Sequence, residues 1–352
     1  MKFFAMLVLA LSLCGCIGAP VVLTPQTAQR LQAQAPIRFL LTFDDGPSAS
    51  GYNNPSRSVM ADLLHNPILP GIKAVFFLQT EASRSGGSLR GRKTMEREYA
   101  AGHVLAFHTA TAFHTNHRWL NDAELESTLT EGAADIASIT GTAPTLVRPP
   151  FWNYDRRTFA AYQRHGMHVL LTDLSANDGK IWGFNGSPRR RANLYRQLSV
   201  VRERIALGEL PTVDGVIPVV VTFHDINRYT ARHMQEYLQI LMDSARINGM
   251  KVAAEPFYTD HATLERAALA RTVKDSISAE IFMVDSQLDF SFSFSATSLR
   301  KISKKLKPEA NSNLQTTKTA TLPQHHHLYQ QRSALPPKTS GLFAVVSHAA
   351  AP

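Results

Sequence analysis

Between Pro36 and about Ala270 the chain alternates short, largely apolar runs with longer polar-apolar stretches, and this alternation constrains its fold more than any other feature. Seven runs read as strands: Ile37–Phe43, Lys73–Leu78, His103–Phe107, Pro144–Arg148, His168–Thr172, Ile217–Phe223 and Met250–Ala254. They are rich in β-branched and aromatic residues, as strands buried on both faces of a parallel sheet should be. The intervening stretches carry helical signals over Ser56–His65, Arg92–Ala100, Asn121–Thr140, Asp155–His165, Arg189–Leu207 and Tyr229–Asn248. Asn121 and Glu124 make a capping box in all but its first letter, and Gly141 and Gly249 stand where helix-ending glycines belong. Strand–helix units in such succession predict a parallel α/β fold, closed as a (β/α) barrel.

In a parallel barrel the C-terminal strand ends share one mouth. Asp44 and Asp45 follow the first strand, His108 the third, Arg148 the fourth, Asp173 the fifth, and His224 with Asp225 the sixth. One ionisable residue at a strand end is an ordinary solvated loop residue. Seven at five corresponding ends predict a common site.

Thr42-Phe43-Asp44-Asp45-Gly46-Pro47 is the sharpest segment. Adjacent carboxylates repel, so keeping both ionised favours a nearby cation, and Gly46-Pro47 forces a turn directly after them. Alone this would be a plain turn, but His108, His114 and His117 fall within ten residues of one another. Two neutral imidazoles and one carboxylate make a facial zinc or cobalt site with open positions. Such a metal polarises a carbonyl and acidifies water, and leaves the second Asp free to act as a base.

These segments resemble the NodB-type polysaccharide deacetylases, carbohydrate esterase family four. TFDDGP is similar to that family's first motif, Arg148-Pro149-Pro150-Phe151 to its third, and Phe223-His224-Asp225 to its fifth, in order from about Pro36 to Ala254. The resemblance implies a distorted (β/α) barrel and metal-dependent removal of acetyl groups, usually from N-acetylglucosamine polymers. It makes Asp44 the base that deprotonates the attacking water, Asp45 and His108 metal ligands, and Arg148 the partner that holds Asp44 ionised. It also makes the backbone N–H near Phe151 an oxyanion donor and His224 the acid that protonates the departing amine. Divalent zinc, or cobalt, is the implied metal, and an acetylated polysaccharide the implied partner.

The chain departs from the family's pattern in three places. Ala112 stands four residues after His108, where the family has its second His. His114 lies at i+6, about 240° round a helix, so the expected ligand set Asp45, His108 and His114 needs a loop or bulge, with His117 the substitute. The fourth motif is altered to Asp173-Leu-Ser-Ala-Asn-Asp178, so either Asp173 or Asp178 would orient His224, and Trp182 would either replace a missing groove wall or pack in the core. Thr222 replaces a Leu, which implies a more polar pocket for the acetyl methyl. Among the remaining histidines, His103 reads as a structural hydrogen-bonding residue, and Trp119 and Trp152 as sugar-stacking or packing residues.

The ends read differently. Residues 1–16 carry one Lys, an apolar run from Phe3 to Leu13 that is too short to span a bilayer, and Leu13-Cys14-Gly15-Cys16, which resembles a lipobox with Cys16 as the lipidated residue. Both cysteines lie there, so the folded part is expected to hold no disulfide or Cys–zinc site. This predicts export to the periplasm or outer membrane of a bacterium, or secretion, with membrane contact only through a lipid anchor. Residues 17–35 read as a linker, 36–270 as the catalytic domain and 271–352 as a largely disordered extension with a His325–His327 run. The formal charge of +9 sits mostly in that extension: eight Lys or Arg against two Asp or Glu from Ser286 onward. The remainder is too little for nucleic-acid binding. Two other functions compete with an N-deacetylase: an O-acetyl polysaccharide esterase, and a catalytically silent carbohydrate-binding barrel.

Overall fold

Successive residues of a strand point to opposite sides, and here the two sides meet different environments. The structure is a computed structural model that describes residues 23–178 and 190–275. Its strands are β1 (Ile37–Gly46), β2 (Val75–Gln79), β3 (Val104–Thr109), β4 (Leu146–Val147), β5 (His168–Val169), β6 (Leu174–Ser175), β7 (Ile217–His224) and β8 (Val252–Phe257). All pair in parallel in the order β5-β4-β3-β2-β1-β7-β6, with β8 added on β1. The helices are α1 (Pro25–Ala33), α2 (Pro55–Leu64), α3 (Leu89–Ala100), α4 (Asp122–Thr140), α5 (Arg156–Arg164), α6 (Arg190–Ala206), α7 (Arg228–Ile247) and α8 (His261–Ala270). The sheet is a half-barrel, which gives the distorted (β/α) barrel its open seam. Among the described residues β5 and β6 do not pair, and the short segment from Leu170 to Asp173 joins them.

Strand parity sorts the core into two clusters. Phe39, Leu41, Phe43, Phe76, Leu78, Phe107, Val219, Val221 and Phe223 pack with Val59, Met95, Leu129, Tyr162 and Leu238 from the surrounding helices. The opposite parity contributes Leu40, Val75, Phe77, Val104, Ala106, Leu146 and Val220, which pack with Leu264, Ala267 and Ala268 of α8. Continued toward the C-terminal strand ends, this second parity gives Thr42, Asp44, Gln79, His108, Arg148, Thr222 and His224. The barrel interior is thus apolar at one end and polar at the other, and the polar end is the mouth.

Some local expectations differ from the structure. The predicted linker contains α1, where Thr24 accepts from the Thr27 N–H, Pro25 begins the helix and Leu31 is the buried anchor. Helix α8, capped by Asp260, extends the order past the last predicted strand. Strands β4 and β5 shrink to two residues each, and β6 is equally short, below any readable alternation. The Asn121–Glu124 box forms as expected: Glu124 N–H donates to Asn121 Oδ1 at 3.0 Å and Asn121 N–H to Glu124 Oε2 at 2.9 Å. The leader, Trp182 and the C-terminal extension with its His run lie outside the described residues.

Gly132 on α4 lets that helix approach β3. A Cβ there would lie 2.0 Å from Cε2 of Phe107, the residue before His108. On an exposed helix Gly→Ala gains about 1 kcal/mol. Gly132→Ala is instead expected to lose about 1–3 kcal/mol by overpacking, as read from urea unfolding. A variant as stable as the parent would contradict this packing.

Candidate active site

The mouth is built from strand ends whose local geometry departs from regular extension. The β1–β2 register shifts between Phe43 and Gly46, and Asp45 sits at φ 69°. Simple alternation would send Asp44 and Asp45 to opposite sides; the irregularity turns both into the mouth. His114 (φ 49°), Phe151 (φ 60°) and Trp152 (φ 56°) share the left-handed backbone. Non-glycine residues there carry strain that concentrates at functional sites. Gly46 is needed for a close approach, since a Cβ would meet Asp225 Oδ1 at 2.4 Å. Asp225 is buried, and that burial pushes its carboxyl up to about 7.

Asp44 Oδ1 accepts from Arg148 Nη1 at 2.7 Å, and both side chains are buried. The guanidinium also donates to Thr42 Oγ1 at 2.6 Å and to the Leu170 carbonyl at 2.9 Å, and lies 4.2 Å above the Phe77 ring. The indole of Trp152 donates to Asp44 Oδ2 at 3.3 Å. Sequence reasoning gave Trp152 a sugar-stacking or packing role. Its place after Arg-Pro-Pro was the only hint of this bond. Thr42 and Gln79 also went unnoticed, although strand parity placed both on the interior face.

Asp45, His108 and His114 converge. Asp45 Oδ1 is 3.2 Å from His108 Nε2 and 3.2 Å from His114 Nε2, and the two nitrogens are 2.9 Å apart. These are the three residues whose ligand atoms could hold a metal ion. His108 Nδ1 lies 2.6 Å from the Arg148 carbonyl, which can only accept, so the Nδ1 proton is spent there. In the neutral ring, Nε2 is left with a lone pair aimed at a carboxylate and a second imidazole. Three acceptors at such range fit a divalent cation, and a carbonyl on the outer nitrogen is how metal-ligating histidines are fixed. Charge states agree with this. Burial resists ionisation of Asp45, but the surrounding histidines, His108 first, outweigh it and hold the carboxyl well below the usual carboxylate range. Burial lowers His114 to about 4 against the pull of Asp45, so its imidazole is neutral at pH 7.

His117 is not in this set. It is buried, with Nδ1 2.8 Å from Tyr162 Oη and Nε2 3.2 Å from Thr109 Oγ1. Of the two aspartates proposed for His224, the structure brings Asp178 to it and not Asp173. Asp178 Oδ1 is 2.8 Å from His224 Nδ1, and Asp178 Oδ2 accepts from the His224 N–H at 2.9 Å. Asp173 instead binds Arg204 at 3.0 Å, Arg271 at 2.6 Å and the Val220 N–H at 2.9 Å. The chain between the two is β6, which runs parallel to β7 with Leu174 beside Val221 and Ser175 beside Thr222, so Asp173 stops at the level of Val220 and Asp178 reaches His224 at the strand end. His224 Nε2 faces Asp45 Oδ2 at 3.9 Å. Thr222 does not line an open pocket: it is buried, and its hydroxyl meets that of Thr42 at 3.0 Å. His103 is structural as expected, its Nδ1 accepting from the Ala74 N–H at 3.1 Å. Phe113, Trp119 and Phe151 are exposed, and the Phe151 ring lies 4.7 Å from His114.

A parallel (β/α) half-barrel with a carboxylate–imidazole cluster, a buried Asp–Arg pair and an Asp–His pair at one mouth defines the class of protein. The sequence profile of the polysaccharide deacetylase family matches residues 32–170, the stretch from α1 to β5 that holds Asp44, Asp45, His108, His114 and Arg148. Over that stretch the chain is similar to the polysaccharide deacetylase family. It is similar to a chitin deacetylase of Pestalotiopsis sp, 31% identical over 144 residues, which are 41% of this chain and 44% of that protein. It is also similar to the peptidoglycan-N-acetylglucosamine deacetylase of Listeria monocytogenes, 24% identical over 201 residues, which are 57% of this chain and 35% of that protein. The chain therefore spans less than half the length of either relative. Among solved structures, the chitin deacetylase of Colletotrichum lindemuthianum matches 62% of this chain and 87% of its own at 22% identity and a TM-score of 0.46.

Burial of His224 disfavours its charge, but Asp178, followed by Asp45 and Asp44, raises its pKa to about 10. The ring is thus protonated below pH 10 in the metal-free protein. Asp178→Asn removes the largest favourable partner and leaves the burial, so the pKa should fall toward or below the ordinary value of 6.5. NMR titration of the His224 ring in both metal-free proteins reads this directly. A variant ring that still titrates near 10 would reassign the cause.

Proposed function

We propose that the protein is a hydrolase that removes N-acetyl groups from an N-acetylglucosamine-containing polysaccharide, using a divalent metal, zinc or cobalt. The observation that carries the reading is the convergence of Asp45, His108 and His114 between the Asp44–Arg148 pair and the His224–Asp178 pair. A cation held by Asp45, His108 and His114 would polarise the acetyl carbonyl and acidify water beside it. Asp44, paired with Arg148 and oriented by Trp152, takes the proton of the attacking water. The resemblance assigns the backbone N–H at Phe151 to the oxyanion that would form on the acetyl oxygen. His224 Nε2–H, held by Asp178 at Nδ1, protonates the sugar nitrogen as the C–N bond breaks, which releases acetate and a free amine. The exposed rings of Phe113, Trp119 and Phe151 suit the apolar faces of sugar residues, which supports a polymeric substrate.

Two relatives bear the names chitin deacetylase and peptidoglycan-N-acetylglucosamine deacetylase, and both polymers carry the acetamide this site would cleave. No helix among the described residues is long and apolar enough to cross a membrane. We assign residues 1–16 to an export signal, with Cys16 as a lipid attachment point, which would bring the site to an envelope or extracellular glycan. The metal cluster and the intact Asp44, Arg148 and His224 weigh against a silent binding barrel.

The test is acetate release from N-acetylglucosamine oligomers, with chelator and with zinc restored. Acetate should appear, stop on chelation and return with zinc. Asp44→Asn should lower kcat by about 10²–10⁴-fold while cobalt still binds. Acetate from acetylated xylan but never from the amide oligomers would replace this reading with an O-acetyl esterase. Full activity of Asp44→Asn would remove the assigned base.

A further inference from the structure

His114 stands six positions after His108, and their ring nitrogens nevertheless meet at 2.9 Å. A chain of side-chain hydrogen bonds closes the intervening loop. Tyr162 Oη meets His117 Nδ1 at 2.8 Å, and His117 Nε2 meets Thr109 Oγ1 at 3.2 Å. Thr109 Oγ1 then meets Thr111 Oγ1 at 3.0 Å, and Thr111 Oγ1 accepts from the Thr115 N–H at 3.0 Å. The last bond ties the start of the loop to the residue just after His114, across the left-handed turn at φ 49°. At the far end, His117 is buried against Phe107, with ring centroids 6.0 Å apart, and Tyr162 comes from α5. A neutral imidazole offers one N–H and one lone pair. Burial, with His108 and His114 nearby, lowers His117 to about 3, so the neutral ring bridges Tyr162 and Thr109 in either tautomer.

We propose that Thr111 and His117 are positioning residues that set His114 as a metal ligand: Thr111 closes the loop around it, and His117 anchors that closure to α5. The proposal rests on the metal reading of Asp45, His108 and His114. Neither residue touches the ligand atoms themselves. They act by removing loop conformations in which His114 Nε2 points away from Asp45, so their loss falls on affinity and geometry rather than on the reaction.

The experiment is titration of the metal-free, full-length protein with cobalt, followed through the visible absorption of the bound ion, for the parent, Thr111→Val, Thr111→Ser and Tyr162→Phe. Thr111→Val keeps the side-chain shape and removes the hydroxyl; it should weaken cobalt binding by about 10–100-fold, as loss of ligand-supporting contacts does, and alter the spectrum. Thr111→Ser should restore both. Tyr162→Phe deletes one distant hydroxyl with little risk to folding and should weaken binding in the same sense. Parent-like affinity and spectrum in both Thr111→Val and Tyr162→Phe would overturn the proposal and leave the metal reading standing. A parent protein that takes up no cobalt would overturn both.

Discussion

The Arg148 guanidinium lies where the apolar barrel interior gives way to the polar mouth, and it serves both sides. Beneath it is the face of Phe77; above it, Asp44 at 2.7 Å; beside it, Thr42 and the Leu170 carbonyl in the segment that joins the two unpaired end strands. A buried ion pair of this kind adds little net stability over well-packed apolar residues, yet removing one partner costs about 3–5 kcal/mol because the other charge is stranded. Its value here is geometric. It fixes Asp44 from below while Trp152 fixes it from the rim, and it ties β1 and β4 to the seam where the sheet lacks a ladder.

The same guanidinium-bearing residue reaches the ligand cluster through its backbone. The Arg148 carbonyl takes the Nδ1 proton of His108 and so decides which nitrogen of that ring faces Asp45. One residue thereby orients Asp44 through its side chain and His108 through its main chain. Across the mouth, Asp178 does the corresponding work for His224, accepting from both its ring and its backbone N–H. The two histidines are driven to opposite charge states: burial keeps His114 neutral, whereas a nearby carboxylate overcomes burial and keeps His224 protonated. A ligand needs a lone pair and an acid needs a proton, so the divergence suits the two roles.

Much of this was legible in the chain. Strand parity from Leu40 to Asp44, Ala106 to His108, Leu146 to Arg148 and Val220 to His224 places the polar residues on one face before any coordinate is known. What the pattern did not carry is short or irregular. Strand β6 is two residues long, and α1 has one buried anchor. The imidazole partner of His108 was ambiguous because His114 and His117 both lie near it in sequence. Only the fold shows that His117 is drawn into the packing around Phe107 and Tyr162 while the loop turns His114 outward to the mouth.

The order of strands and helices, the face each strand presents, and the gathering of Asp44, His108, Arg148 and His224 at one end were determined by the sequence alone, because they follow from side-chain period and strand direction. The choice of Asp178 over Asp173, of His114 over His117, and the Trp152 bond to Asp44 were decided by tertiary structure. Each depends on which of two chemically equivalent groups a loop brings within about 3 Å. That distance is set by packing, bulges and positive-φ turns among residues far apart in the chain.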